Sequence, residues 1–363
     1  MTPAMGAVLE QFSLSQMAVQ WLVTVYLIGY GLSELPYGWL AQRYGRRRVL
    51  GLSLIVFALG AFVCAMAGEY WHMLVGRGVM AFGAGMGLMI GYAIVGLNCE
   101  LQEGRRVLGW TSSLVALAPG ISSFLGGILV GMLHWSCCFY ALIMYAGLVW
   151  LRVRRMPESE SVPFRHTTSA YLTLMRQRGV FFLCVMSALT SVLMYVFVTV
   201  APLTTMRVLN LSPQVYGYMS AAPVSGGFGG CLLAAYLASR LSAVQTIRIG
   251  FVMAFVGVAF KMTALSAFGL QAWTLFAPMF VIYFSLPLIY TNGIMMALDL
   301  SDNKPVASAF FCTINIALSV VGVLVVSLMK GVIYNFSPVC LVLVLGMWVC
   351  FQAAQRSVLT INS

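Results

Sequence analysis

Four arginines, Arg43, Arg46, Arg47 and Arg48, fall within one short polar stretch, residues 38–48, set between two long apolar runs. Charges of this density do not lie in hydrocarbon, where even one costs roughly 2.5–3.5 kcal/mol on insertion scales. The flanking runs are each of the ~20 residues that a bilayer-spanning helix needs. The stretch therefore dictates a membrane class and an orientation together, because short arginine-rich loops stay on the cytoplasmic side. Gly38 and Gly45 within it allow close helix approach and a sharp turn. Composition agrees: 61% of residues are hydrophobic, 8% are charged and the mean hydropathy is +0.95, values foreign to a soluble domain.

The net charge of +11 does not mark a nucleic-acid surface, since the basic residues sit in short gaps between apolar runs instead of along one face. Nine cysteines are scattered through the apolar runs without a C-x-x-C pair and read as small core residues. No G-x-x-x-x-G-K-[ST] phosphate loop occurs. The chain is thus read as neither an enzyme nor a metal protein, with no cofactor, and as a monomer in the bilayer.

The first fifteen or so residues are too short and polar to cross a bilayer, and they lack a signal peptide's pattern. Spanning helices are then predicted at 17–41, 49–68, 71–98, 107–132 and 135–152. A polar cytoplasmic linker over 153–179 follows, with a short interfacial helix near 171–175, and then helices at 180–204, 215–238, 246–268, 272–298, 305–329 and 338–353. The expectation is an all-α polytopic protein of eleven helices, with an N-terminal bundle over 1–152 and a C-terminal bundle over 180–363. The charge pattern supports it, because 16 of the 20 basic residues fall on the cytoplasmic side of this layout. It places the N-terminus outside and the C-terminus in the cytoplasm.

Shifting the first half by 197 residues superposes Trp39-Leu40-Ala41-Gln42-Arg43 on Tyr236-Leu237-Ala238-Ser239-Arg240, and the helix starts follow. The helix at 180–204 finds no partner under this shift. A further helix upstream of Met1 is therefore expected.

The stretch 38–48 resembles the G-x-L-A-D-R-x-G-R-R loop between helices two and three of the major facilitator superfamily. Pro3-Ala4-Met5, Phe12-Ser13-Leu14-Ser15, Pro157-Glu158, Ala201-Pro202 and Leu211-Ser212-Pro213 narrow the resemblance to drug/proton antiporters of the bicyclomycin and chloramphenicol resistance type. The resemblance implies a twelve-helix fold in the full family and a bacterial inner-membrane location. It also implies export of small lipophilic or amphipathic compounds in exchange for protons by alternating access, so that a small molecule, protons and the lipid bilayer are the expected partners. Gln42 stands where the family has Asp, Met80 where it has Gln, and Ser122-Ser123 where it has Gly-Pro; the acidic residue of its first helix is absent. These departures keep two other readings open: a transport-inactive remnant, and a membrane sensor or partner protein.

Candidate residues follow. Arg77, followed by Gly83, resembles the intramembrane arginine of proton coupling, although so near a helix end it has the alternative of snorkelling to the surface. Glu34 is a second candidate proton carrier, or else a partner for an arginine such as Arg106. Gly38, Gln42, Arg43, Gly45, Arg46 and Arg47 form the gating loop. Tyr26, Tyr30, Met80, Pro119, Tyr195, Asn292 and Asn315 are candidates for lining a substrate cavity, against the plainer reading of core packing. Lys261 is expected to snorkel, and the glycine series Gly83, Gly87, Gly91 and Gly226, Gly227, Gly229, Gly230 is expected to pack helices closely.

Overall fold

A computed structural model describes residues 8, 12, 16–156, 167–211, 213–329, 331 and 335–359 of the 363. The elements are α1 (Gln16–Tyr44), α2 (Arg46–Ala65), α3 (Tyr70–Ala84), α4 (Met86–Asn98), α5 (Leu101–Met132), α6 (Ser136–Val153), α7 (Thr167–Arg176), α8 (Arg178–Leu203), a π-helical turn (Thr204–Val208), α9 (Pro213–Ala238), α10 (Ala243–Phe268), α11 (Ala272–Asp299), α12 (Lys304–Leu328) and α13 (Ser337–Leu359). Among the described residues nine helical spans are long and apolar enough to cross a membrane. The α1 and α5 helices are 29 and 32 residues long. This is an all-α polytopic protein built from two pseudo-repeated bundles.

Local chemistry explains where the elements differ from expectation. The α1 helix continues through Pro36 to Tyr44, and α2 starts at Arg46, so the arginine loop shrinks to one residue. Gly45 makes that turn at φ 87°, a conformation open to glycine because it has no Cβ. The expected helix at 71–98 is broken at Gly85, where a Cβ would overlap the Ser33 hydroxyl of α1. The α10 helix starts early because Ser242 and Gln245 form a reciprocal capping box, and α12 because the Asn303 side chain accepts from Val306 N. After Pro202, which has no N–H, the π-turn is held by Thr204 and Thr205 hydroxyls donating to the Val200 and Ala201 carbonyls at 3.2 and 2.8 Å.

The chain divides into two compact units, Met1–Ala93 with Ala118–Ser169, and Ile94–Leu117 with Ala170–Ser363. In this grouping the segment Ile94–Leu117, which sequence order places in the first half, goes with the second unit.

In the first unit α3 packs on α1 and α2, and α2 on α6. Its core holds Leu22, Ala61, Cys64, Met73, Met80, Trp135 and Phe139. In the second unit α11 packs on α9 and α10, α10 on α13, and α8 on α11, α12 and α13. The 197-residue repeat is visible in these pairings, with α1, α2, α3 and α6 corresponding to α9, α10, α11 and α13. Phe197 anchors the second core, its ring centroid 5.8 Å from Phe276, 5.8 Å from Tyr283 and 6.0 Å from Phe336.

Candidate functional site

Arg77 lies two turns into α3 and is 6% exposed. Small residues on both sides of it bring the neighbours close. A Cβ at Gly60 of α2 would overlap the Met80 backbone, a Cβ at Gly76 would come within 2.7 Å of Cys64 Sγ, and one at Gly29 of α1 within 3.0 Å of the Gly78 carbonyl. Backbones this close leave the guanidinium between α1 and α3 instead of in water. Its Nε donates to the Leu22 carbonyl at 3.3 Å, and its Cζ sits 4.2 Å from the Tyr26 ring centroid. Such a cation–π contact is worth about 2 kcal/mol when desolvated.

Arg77 and Tyr26 are therefore the two sequence candidates that the structure brings together. No carboxylate among the described residues lies within ion-pair distance of Arg77. A guanidinium remains charged at any physiological pH, so this place stabilises negative charge that arrives or develops beside it.

Met80, one turn further along α3, is 3% exposed and belongs to the core. Tyr30 is half-buried on α1, and its carbonyl accepts from the Ser33 hydroxyl at 2.6 Å. The side chains of Glu34, Gln42 and Pro119, and the surroundings of Gly38, lie outside what is described. At the turn, Arg43 lies 5.4 Å from the Tyr44 ring centroid, and Arg47 Nη1 donates to the Met156 carbonyl at 3.2 Å, which ties the start of α2 to the end of α6.

The second unit contains a constellation that sequence reading missed. Arg105, in the first turns of α5, is 3% exposed. Its Nε donates to Asn292 Oδ1 of α11, Nη1 to the Leu241 carbonyl at 2.9 Å, and Nη2 to Thr246 Oγ1 of α10 at 2.9 Å. Asn292 Nδ2 in turn donates to the Leu288 carbonyl at 2.7 Å. Asn292, expected to line a cavity, is 1% exposed and its amide is committed to this latch. Around the latch, a Cβ at Gly109 would meet the Ala235 backbone at 2.8 Å, and one at Gly104 would overlap the Met295 side chain. The α5 helix begins earlier than expected and takes in the Arg105-Arg106 doublet. Neighbours on a helix point roughly 100° apart, so Arg105 turns inward while Arg106 is exposed beside Glu100 and Glu103. The Arg105-Arg106 doublet is the signal of it that the sequence carries.

Of the remaining candidates, Tyr195 is 49% exposed, and Asn315 keeps a buried Oδ1 with no partner among the described residues. Lys261 does not snorkel: it is 3% exposed, with its Nζ 5.7 Å from the Phe336 ring centroid. All nine cysteines are free thiols.

The family model described as Major Facilitator Superfamily matches residues 1–325. The chain is 24% identical over 302 residues to multidrug resistance protein D of Escherichia coli (strain K12), covering 81% of this chain and 75% of that protein. It is 24% identical over 253 residues to chloramphenicol resistance protein CraA of Acinetobacter baumannii, covering 68% of this chain and 61% of that protein. Among solved structures, the transporter FucP in its outward conformation aligns with a TM-score of 0.73 at 15% identity over 96% of this chain and 92% of that one. The proton:xylose symporter XylE aligns at 0.67 and 13% identity over 99% and 90%.

Proposed function

The chain belongs to the major facilitator superfamily, and from that premise we propose that it is a proton-coupled exporter of small lipophilic or amphipathic compounds, of the bicyclomycin and chloramphenicol resistance type. The fold carries transport of a small molecule by alternating access. The observation that supports proton coupling is Arg77, a cation held in the membrane by a carbonyl and a tyrosine ring with no carboxylate partner among the described residues. An ionisable group kept at such depth points to function, because its burial is costly. In this reading Arg77 and Glu34 exchange influence over the coupled proton, and Tyr26 and Tyr30 border the route of the cargo. The similarity to a multidrug and a chloramphenicol resistance protein supports the direction of transport and the class of cargo.

The turn from Gly38 to Arg47 and the Arg105 latch serve as cytoplasmic closures. Gln42 has no charge to contribute, and Arg105 with neutral acceptors supplies the hold instead. The protein would reside in the bacterial inner membrane with its C-terminus in the cytoplasm. A growth-inhibition panel on cells with the gene deleted and restored tests the proposal. Restoration should raise resistance to one or more apolar drugs, and a protonophore should remove the difference. Identical panels for both strains would favour a transport-inactive remnant.

A further inference from the structure

In the first unit three contacts define the seam between α2 and α6. At one end Arg47 Nη1 donates to the Met156 carbonyl at 3.2 Å, and a turn further along α2 the Trp150 indole lies against Gly51, where a Cβ would come within 3.6 Å of Nε1. At the other end the Tyr140 hydroxyl donates to Met66 Sδ at 3.3 Å, and both side chains are exposed. Residues spaced by three and four share a helix face. Tyr140 is therefore in line with Met144, Gly147, Leu151 and Arg154 on α6, and Met66 with Leu59, Ile55, Leu52 and Arg48 on α2, all of them exposed. Because Tyr140 and Met66 touch, the two rows run side by side along the seam. Between them the surface is low at Gly147, where a Cβ would meet nothing within 4 Å. The row from Met144 to Arg154 spans roughly 15 Å at 1.5 Å per residue, half of the ~30 Å hydrocarbon core and so the depth of one leaflet.

Charge collects at one end of the seam. Arg154 is held there by Trp150, its Cζ 4.7 Å from the ring centroid, and Arg155 beside it is exposed. A tryptophan so placed marks the headgroup level of a bilayer. By sequence, the four arginines of 43–48 and the three of 152–160 outnumber the two glutamates there, Glu158 and Glu160. Glu69 lies beyond the far end of α2.

The repeat shows that these features are not part of the shared design. Under the 197-residue shift Gly147, Arg154 and Arg155 fall on Val344, Phe351 and Gln352, and Val344 and Phe351 are buried. The corresponding α10–α13 pair has neither the open glycine nor the cations.

We propose that the α2–α6 seam is a binding site for one anionic phospholipid, its phosphate at Arg154, Arg155 and Arg48 and an acyl chain laid over Gly147 between the apolar rows. Basic clusters between membrane helices suit such headgroups. A free phosphate would satisfy the arginines and leave the apolar rows uncovered, so the lipid is the occupant that matches both. The site does not depend on the transport reading.

Native mass spectrometry of the purified full chain, delipidated in dodecyl maltoside and titrated with dioleoyl phosphatidylglycerol or dioleoyl phosphatidylcholine, tests it. One phosphatidylglycerol should be retained at concentrations that leave phosphatidylcholine unbound, and inorganic phosphate should not displace it. R154Q combined with R155Q should weaken retention about tenfold or more. G147W keeps every charge while filling the groove, and should weaken retention as well. These positions are exposed, and the comparison of the two lipids on the parent protein stands even if a variant fails to fold. Equal retention of the two lipids, or retention unchanged in the double arginine variant, would overturn the proposal. Displacement by inorganic phosphate, or full retention in G147W, would overturn it in favour of a surface charge effect without a groove.

Discussion

At the residue scale, the buried guanidinium groups of Arg77 and Arg105 are held by neutral partners, with no ion pair among the described residues. Arg77 uses a carbonyl and a tyrosine ring, and Arg105 uses one amide oxygen, one carbonyl and one hydroxyl. Neutral acceptors satisfy the geometry of a guanidinium while leaving it able to exchange them for a stronger anionic partner. Cys99, in the link between α4 and α5, reports on the Arg105 latch. Burial, and after it the Glu103 carboxylate, push its thiol above the ordinary range. Since the thiolate is the reactive form, maleimide labelling of a variant retaining only Cys99 should reach its half-maximal rate at a higher pH than free glutathione does. R105A should accelerate that labelling about tenfold or more, because each hydrogen bond to a charged group contributes roughly 1.5–3 kcal/mol and 1.4 kcal/mol is a factor of ten. An unchanged rate and pH profile would show that Arg105 does not hold the segment.

At the scale of elements, glycines decide which helices touch through their backbones, and the series divides sharply. A Cβ at Gly83 would overlap the Phe57 backbone of α2, and Cβ atoms at Gly226 and Gly230 would overlap the Phe280 and Phe284 carbonyls of α11, whereas Gly87 and Gly91 face open space. G83A should therefore lower the Tm of the purified protein by an overpacking cost of about 1–3 kcal/mol, while G87A should leave it unchanged or slightly raised. Equal Tm values for the two variants would remove the close α2–α3 crossing from the account. Helix identity and order were legible in the sequence because apolar run length and arginine placement are local properties. The early start of α5 and the break at Gly85 were not, because they depend on partners far along the chain. Arg105 meets Asn292 across 187 positions, and Gly85 yields to Ser33 of another helix. Lys261 was misjudged for the same reason, since helix depth predicted snorkelling while the side to which α13 packs decided burial.

At the scale of the whole molecule, the sequence repeat and the packing of the two units describe one design, a pair of related bundles, with Arg77 buried in the first and Arg105 and Lys261 in the second. The segment Ile94–Leu117 departs from it by joining the second unit through Arg105, and the repeat gave no sign of that. The central claim is that Arg77 and Glu34 couple a proton gradient to export. Everted membrane vesicles energised to an acid interior, carrying a fluorescent ΔpH probe, test it most directly. Adding a drug to which the gene confers resistance should release protons from vesicles holding the parent protein. R77Q and E34Q should insert in nearly the same amount and release none. Drug-dependent proton release from R77Q vesicles equal to that of the parent, at matched protein levels, would contradict the account.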